Sequence, residues 1–377
     1  MSQPNTTGSQ ERLSGTVPRS VIAVDRAIGD LRRGQLVVLL GASACAVARS
    51  TEFLGEGEFA AMTRVPGGAL RIVITGPRAR AIGLDTDQEV VVFRLSPEIA
   101  PITVQALANP ESGVPAPELH RTLEADDLAV GSVQLAKHAN LTPAAVLKPL
   151  GLPPEAARAW AIERDLLAVH VQELQRYGAE GDFNLRRVSS AHVPLEAAQD
   201  TRIIAFRPVS GGTEQIAIVV GEPTPDSPVL VRLHSQCFTG DLLGSLRCDC
   251  GDQLRGALSA IAEAGSGVLV YLAQEGRGIG LVNKLRAYTL QDDGLDTYAA
   301  NSVLGFADDE RHYRVAAEIL RQLGVTRVRL LTNNPEKIAA LTRFGIRVVE
   351  RVRHRFEPTP QNREYLEAKI RTGAHLP

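Results

Sequence analysis

The chain has 377 residues, 44% hydrophobic and 22% charged, and its 41 basic and 43 acidic side chains leave a net charge of −2. That length accommodates about two domains, with cores large enough to need no disulfide staples. The near-neutral balance argues against a general nucleic-acid or membrane-surface binder, so an anionic ligand must meet a local cluster of positive charge.

Residues 1–19 are rich in Ser, Thr, Gln, Gly and Pro and hold no apolar run, which predicts a disordered tail rather than a signal peptide. No stretch approaches the roughly 18 apolar residues of a membrane helix, and the expected location is the cytoplasm. Val24, Ala27, Ile28 and Leu31 recur at helical spacing, with Gly34 placed to stop the helix. Leu36 to Leu40 and Leu70 to Thr75 are apolar runs of buried-strand type. Residues 107–117, with three prolines, read as a loop, and helical patterns return over Val130 to His138 and Pro154 to Gln175. The mixed polar stretch from Arg176 to Ala191 predicts a linker between a domain over 20–180 and a second over 188–377.

In the second half, Ile216 to Val220 and Val229 to Leu233 predict strands on either side of a proline-rich turn. Leu254, Leu258 and Ile261 share a helix face that Gly265 and Gly267 end. Val268 to Leu272 predicts a strand and Leu281 to Gln291 a helix; Ala316, Ile319, Leu320 and Leu323 mark another helix. Val328 to Leu331 is a further strand, and Pro335 opens a last helix, where its missing N–H does no harm. The alternation predicts an α/β to α+β fold: two domains, each a mixed sheet flanked by helices.

Three of the four cysteines, Cys237, Cys248 and Cys250, fall within fourteen consecutive residues, which reads as metal ligation in a reducing compartment. Residues i and i+2 of a strand share a face, so Cys248 and Cys250 can converge, with Cys237 returned by a turn through Thr239, Gly240, Asp241 and Gly244. Three thiolates suit zinc, and a fourth position left open is the mark of a catalytic site. Spacing alone leaves two other readings: a structural zinc with a fourth ligand such as His234, or buried free thiols. The polar flank of Arg232, His234, Ser235, Arg247 and Asp249 favours the catalytic one.

The run from Gln274 to Gly280 sits between a predicted strand and a predicted helix, where three glycines allow close backbone approach and a helix N-terminus favours an anion. Arg277, Lys284 and Arg286 add charge nearby. Asp308 to His312 places carboxylates and Arg311 at a predicted helix start, which by itself would only complement the helix dipole. Leu331 to Lys337 runs from a strand end into a helix, where polar residues cap helices and α/β folds place ligand contacts; Lys337 alone reads as a solvated lysine.

Together these segments resemble GTP cyclohydrolase II. The matching text is VRLHSQCFTGDLLGSLRCDCGDQL, QEGRGIGLVNKLRAYTLQDDGLDTYAAN, LGFADDERHY and RLLTNNPEKI, closed by NREYLEAKIRTGAHL; it spans Val188 to Leu376. The resemblance implies Cys237, Cys248 and Cys250 as zinc ligands. It implies contacts to GTP from Arg232, Leu233, His234, Ser235, Gln236, Gln253, Glu275, Gly276, Arg277, Thr297, Thr332 and Lys337. Asp309 would accept a proton, Arg311 would attack the α-phosphate or clamp it, and Tyr288 would assist ring opening. Magnesium with the triphosphate and a homodimer are implied as well. The implied reaction hydrolyses the imidazole ring of GTP at C8, releasing formate and pyrophosphate, at the start of riboflavin biosynthesis. Gln236 stands where the family usually has glutamate, and Ala273 where arginine is common before the Gln-Glu-Gly-Arg run; these departures permit weaker GTP binding or another nucleotide substrate, and a nucleotide-binding or scaffolding protein without turnover is a separate reading.

The first half resembles 3,4-dihydroxy-2-butanone 4-phosphate synthase over Val24 to Leu40 and, weakly, Leu135 to Leu147. Gly41 to Cys45 replaces that family's acidic metal-binding run, and its Gly-His-Thr-Glu stretch has no counterpart near Asp127 to Gly131. A synthase-like fold without synthase activity is expected, with Cys45 a buried thiol.

Overall fold

The computed structural model describes residues 17–363 apart from 97, 118–121, 181–183, 225 and 358. The expected tail therefore lies mostly outside the described residues, as does the closing motif beyond Arg363. Helix α1 (Arg19–Arg32) begins inside the span assigned to the tail and buries the four residues expected, Val24, Ala27, Ile28 and Leu31. It stops where Gly34 turns to a φ of 73°, a left-handed conformation that glycine reaches without steric cost.

Seven strands form the first sheet: β1 (Val37–Leu40), β2 (Cys45–Ser50), β3 (Arg71–Thr75), β4 (Val90–Arg94), β5 (Thr122–Leu123), β6 (Ala144–Pro149) and β7 (Leu167–His170), in the order β5-β4-β3-β6-β2-β1-β7. Only the β1–β7 pair is parallel. The strands are mostly apolar because both faces are covered, with Arg49, Arg71, Arg94 and Lys148 at or near their ends. Helices α1, α5 (Asp127–His138) and α7 (Val171–Glu180) cover one face. The other lies under α2 (Glu56–Arg64), α3 (Gly76–Ala81), α4 (Pro101–Ala108) and α6 (Pro154–Ile162), and there Cys45 is buried in the core as expected.

Two expectations fail in this region. Pro154 to Gln175 is not one helical stretch: α6 ends at Ile162, Asp165 reverses the chain at a φ of 54°, and Leu167 to His170 forms β7 before α7 resumes. A short apolar run is ambiguous between helix and strand, and pairing with β1 decides it. Nor is Arg176 to Ala191 a linker throughout, since it holds the end of α7 and most of β8 (Leu185–His192). Strand β8 is an edge strand, exposed after Leu185 and bulged between Arg187 and Ser189, which is why its composition resembles a loop.

The second sheet adds β9 (Thr201–Pro208), β10 (Gln215–Val220), β11 (Val229–Ser235), β12 (Gly267–Leu272), β13 (Arg327–Leu331) and β14 (Arg347–Val352) to β8, in the order β14-β13-β11-β12-β10-β9-β8. β14, β13, β11 and β12 run parallel, whereas β12, β10, β9 and β8 alternate. The proline-rich turn thus joins β10 to a strand it does not pair with, because β12 inserts between them. Helices α8 (Cys250–Glu263), α9 (Gly280–Asp292), α10 (Thr297–Val303), α11 (Arg314–Gln322) and α12 (Pro335–Arg343) complete the half. The fold is the expected pair of mixed sheets flanked by helices. Among the described residues, no helix is long and apolar enough to cross a membrane.

Candidate active site

From β11 the chain crosses to β12 on one side and, after β12, returns to β13 on the other. This is a topological switch point, and the carboxyl ends of such strands leave a crevice that α/β folds use for ligands. Cys237 follows β11, Glu275 follows β12 and Thr332 follows β13. They border a cavity of about 510 Å³, within the usual range for a small-molecule site.

The thiols converge by a route the strand argument did not foresee. Cys237 precedes a π-helical turn over Phe238–Leu242, Cys248 lies in the irregular segment between that turn and α8, and Cys250 opens α8. The Sγ atoms of Cys237 and Cys248 are 3.7 Å apart, and all three sulfurs lie within 4.8 Å of one another. A tetrahedral zinc with Zn–S bonds of about 2.3 Å requires sulfurs about 3.8 Å apart, so the set fits the ion. Gly240 makes the approach possible: a Cβ there would sit 2.8 Å from the Cys248 sulfur and 3.0 Å from that of Cys237. Among the described residues no fourth Cys, His, Asp or Glu joins the group.

His234 is not that fourth ligand. Its Nε2 lies 3.0 Å from Asp241 Oδ1, and since a carboxylate only accepts, Nε2 carries the hydrogen and Nδ1 is left as an acceptor. Asp241 also accepts from the Cys237 N–H and from Tyr271 Oη, both at 2.9 Å, so one carboxylate fixes the ring and the first ligand's backbone.

Lys284, which the sequence marked only as nearby charge, proves central. Its Nζ lies 3.1 Å from Cys237 Sγ, 2.9 Å from Thr239 Oγ1 and 2.8 Å from Glu275 Oε1. Burial opposes its charge, but Glu275 and the Cys237 sulfur outweigh burial and hold the ammonium above the usual lysine range. Hydrogen bonds from Cys248 and Cys250, aided by Lys284, keep Cys237 a thiolate; the first of these bonds also helps push Cys248 up to about 11. The signal was present in the sequence: Gly280, Lys284 and Tyr288 recur at four-residue spacing on one face of α9.

The opposite wall is cationic. Arg232 is buried, donating from Nη1 to the Leu331 carbonyl at 3.0 Å and from Nη2 to Gln253 Oε1; burial lowers its pKa to about 10, so it stays charged at neutral pH. Lys337 is buried as well, not solvated, and donates to the Leu233 carbonyl at 2.8 Å. The Leu233 side chain itself belongs to the core, so only its backbone faces this region. Ser235, Gln236, Glu275, Gly276, Arg277, Thr297 and Thr332 all line the cavity, whereas Ala273 does not. Thr332 Oγ1 accepts from the Asn334 N–H at 3.0 Å, and Asn334 caps α12.

Asp308 to His312 precedes α11 instead of starting it, so the helix-dipole reading fails. Arg311 lines the cavity, and Asp309 grips it from behind, accepting from its Nε at 2.8 Å and its N–H at 3.0 Å. Burial disfavours the Asp309 carboxylate, yet the Arg311 guanidinium outweighs it and holds the carboxyl below its usual range. Tyr288 lies beneath the Arg247 guanidinium at 5.0 Å, and burial pushes its pKa up to about 12, so its hydroxyl stays protonated.

Buried polar atoms seldom lack partners. Arg232 Nε, His234 Nδ1, Ser235 Oγ, Gln274 Oε1 and Tyr313 Oη do lack them, and all lie in or beside this crevice. Donors and acceptors left open in one place mark a site built for a polar ligand.

His354, Arg355 and Phe356, which follow β14, close the cavity, and no spacing in the sequence announces them. The Phe356 ring packs so near Gly256 that a Cβ there would come within 2.2 Å of it. His354 Nε2 lies 2.9 Å from the Gln253 carbonyl, and burial, then the Arg232 charge, lower its pKa from 6.5 to about 4. A depressed histidine pKa contributes stability that is whole above pH 6.5 and fades as pH falls towards 4. Between pH 7 and pH 5 this group costs about 2 kcal/mol of stability. Urea unfolding at the two pH values should therefore show a smaller acid loss in His354→Gln than in wild type; equal losses would refute this assignment.

Fold and site together define an α/β protein of the enzyme type, with a group of three cysteines that could hold a metal ion at its switch point, in a cavity with cationic walls. The GTP cyclohydrolase II family profile matches residues 186–353. The chain is 48% identical to GTP cyclohydrolase-2 of Azospirillum brasilense over 361 residues, 94% of each chain. It is 36% identical to the riboflavin biosynthesis protein RibBA of a Synechocystis strain, over 94% of this chain and 71% of that one. A solved two-domain 3,4-dihydroxy-2-butanone 4-phosphate synthase, RibBX of A. baumannii, is similar at 18% identity and a TM-score of 0.37, over 87% of this chain and 98% of that one. The chain belongs to the GTP cyclohydrolase II family and is an enzyme of that family.

Proposed function

We propose that the chain hydrolyses the imidazole ring of GTP, releasing formate and pyrophosphate and leaving 2,5-diamino-6-(5-phospho-ribosylamino)pyrimidin-4-one for riboflavin biosynthesis. One observation carries this reading: three cysteine sulfurs within 4.8 Å of one another, without a fourth protein ligand among the described residues, on the wall of a cation-lined cavity. Cys237, Cys248 and Cys250 would hold zinc. A zinc ion there supplies Lewis acidity and activates water near neutral pH.

The chain's own groups then orient and neutralise. Arg232, Arg277 and Lys337 meet the triphosphate and stabilise the pyrophosphate that leaves, with magnesium sharing the load. Backbone and side chains of Leu233 to Gln236, with Gln253, Glu275, Gly276, Thr297 and Thr332, frame the nucleotide. His234 Nδ1 is an open acceptor for a purine N–H, and the Tyr288 hydroxyl is a donor for the opening ring. Asp309 holds Arg311 by three hydrogen bonds, and a guanidinium stays protonated at neutral pH, which favours Arg311 as an electrostatic clamp on the α-phosphate. Asp309, ionised, is the local proton acceptor.

The first half is proposed to lack synthase activity: Gly41 to Ser43 offer no carboxylate where a metal-binding run would stand, and the Ala42 N–H is held by Asp127 at 3.0 Å. A soluble cytoplasmic homodimer, with no nucleic-acid or membrane partner, completes the proposal. Purified protein given GTP, zinc and magnesium should release formate and pyrophosphate, and given ribulose 5-phosphate should release no formate. GTP binding without turnover would instead indicate a nucleotide-binding or scaffold protein. Activity confined to another nucleotide, which Gln236 on the cavity wall permits, would indicate a paralogous cyclohydrolase.

A further inference from the structure

We infer that the first half of the chain is a positioning element for the phosphate side of the cavity, acting through Lys137 on Glu310. The inference rests on the reading of Arg277, Asp309 and Arg311 given above, and assigns a task to a half that has no chemistry of its own there.

Residues 306–313 form no regular secondary structure, yet they carry Asp309 and Arg311. Glu310, between those two, ties the loop down. Its Oε1 accepts from the Ala307 N–H at 2.9 Å and from Lys137 Nζ, at the end of α5, at 2.6 Å. Its own N–H donates to the Arg277 carbonyl at 3.1 Å. Gly278 packs so tightly beneath that a Cβ would lie 2.7 Å from the Glu310 carbonyl oxygen. Arg277 needs such restraint, because it holds a φ of 61°, a conformation costly for a residue with a side chain. Both ends of the Lys137–Glu310 pair are shielded, with side-chain exposures of 29% and 21%, so water weakens the pair less than it would on an open surface.

The first half touches the neighbouring elements in the same manner. Gly280, which opens α9 after the glycine loop, abuts Asn140, and Asn283 donates to the Asn140 carbonyl at 3.1 Å. Arg286 reaches Glu52 at 2.7 Å and Thr142 at 3.0 Å. The buried Arg78 donates to the carbonyl of Val303, the last residue of α10, at 3.1 Å, and just past that helix Thr75 donates to the Gly305 carbonyl at 2.8 Å. The contact from Lys137 falls on the loop that carries Asp309 and Arg311, and those from Asn140 on the first turn of α9, directly after the glycine loop that carries Arg277. General cohesion between two halves has no need of that choice. Small displacements of positioned groups cost catalysis heavily, roughly a hundredfold for about 1 Å.

The test uses full-length protein and the variants Lys137→Met, Lys137→Arg and Glu310→Gln, measuring kcat, KM for GTP, zinc content and Tm. Lys137→Met should lower kcat roughly ten- to a hundredfold with zinc content and Tm unchanged. Lys137→Arg should restore most of the loss, and Lys137→Met should cost nothing further in the Glu310→Gln background. A Lys137→Met kcat within about twofold of an active wild type overturns the inference while leaving the proposed reaction intact. So does a kcat loss that merely follows lost zinc or a lowered Tm, without rescue by arginine. If the wild type binds GTP but does not turn it over, the proposed reaction fails instead. The inference is then judged on the GTP Kd of the same variants, and an unchanged Kd overturns it too.

Discussion

Cys248→Ser should leave the protein folded, free of zinc and without measurable GTP turnover. Two thiolates and a hydroxyl are a poor set for a soft-ligand zinc site, because a serine hydroxyl is not deprotonated as a thiol is on binding. The loss should exceed the roughly 10- to 100-fold that follows removal of a group merely supporting a ligand. The apolar layers of the second sheet do not involve Cys248, so Tm without added metal should match that of metal-stripped wild type. Metal analysis, turnover and thermal unfolding on one preparation check the three statements together. A Cys248→Ser protein that retained full activity would exclude a catalytic zinc.

Gly240→Ala is the second large effect, and it removes no functional group. An added Cβ would stand 2.8 Å from Cys248 Sγ, 2.9 Å from Cys250 Cβ and 3.0 Å from Cys237 Sγ. Gly240 is absent from the positive-φ residues, so alanine strains no backbone there; the collision is with the three cysteine side chains. The thiols must splay, and zinc affinity should fall by at least about 100-fold, judged against the loss of a supporting group. Gly244→Ala serves as the control: at a φ of 65° with nothing within 4 Å, it should cost about 1 kcal/mol of stability and leave zinc binding intact. Equal zinc affinity in the Gly240→Ala and wild-type proteins would mean that the sulfurs do not share an ion.

The chemistry-bearing segments were legible because each is local: Cys237, Cys248 and Cys250, the glycine run, and the strand end at Thr332 all sit in one short text apiece. What escaped was set by pairing or by distance along the chain. Leu167 to His170 becomes a strand only through β1, some 130 residues earlier in the chain. β8 looks like a linker because an edge strand exposed after its first residue needs no apolar alternation. Lys337 reads as solvated until β11 brings the Leu233 carbonyl, 104 residues distant, to its ammonium. The hold of Lys137 on Glu310 spans 173 residues, and no period within either helix or loop encodes it. His354 to Phe356 enter the cavity because the chain after β14 folds back over α8, a route that side-chain spacing does not record.

X-ray absorption at the zinc edge tests the central claim most directly. The account predicts one zinc per chain, with three sulfurs at about 2.3 Å and a single lighter atom at about 2.0 Å, the latter perturbed when GTP is added. Four protein ligands around the ion, or fewer than three sulfurs, would contradict it.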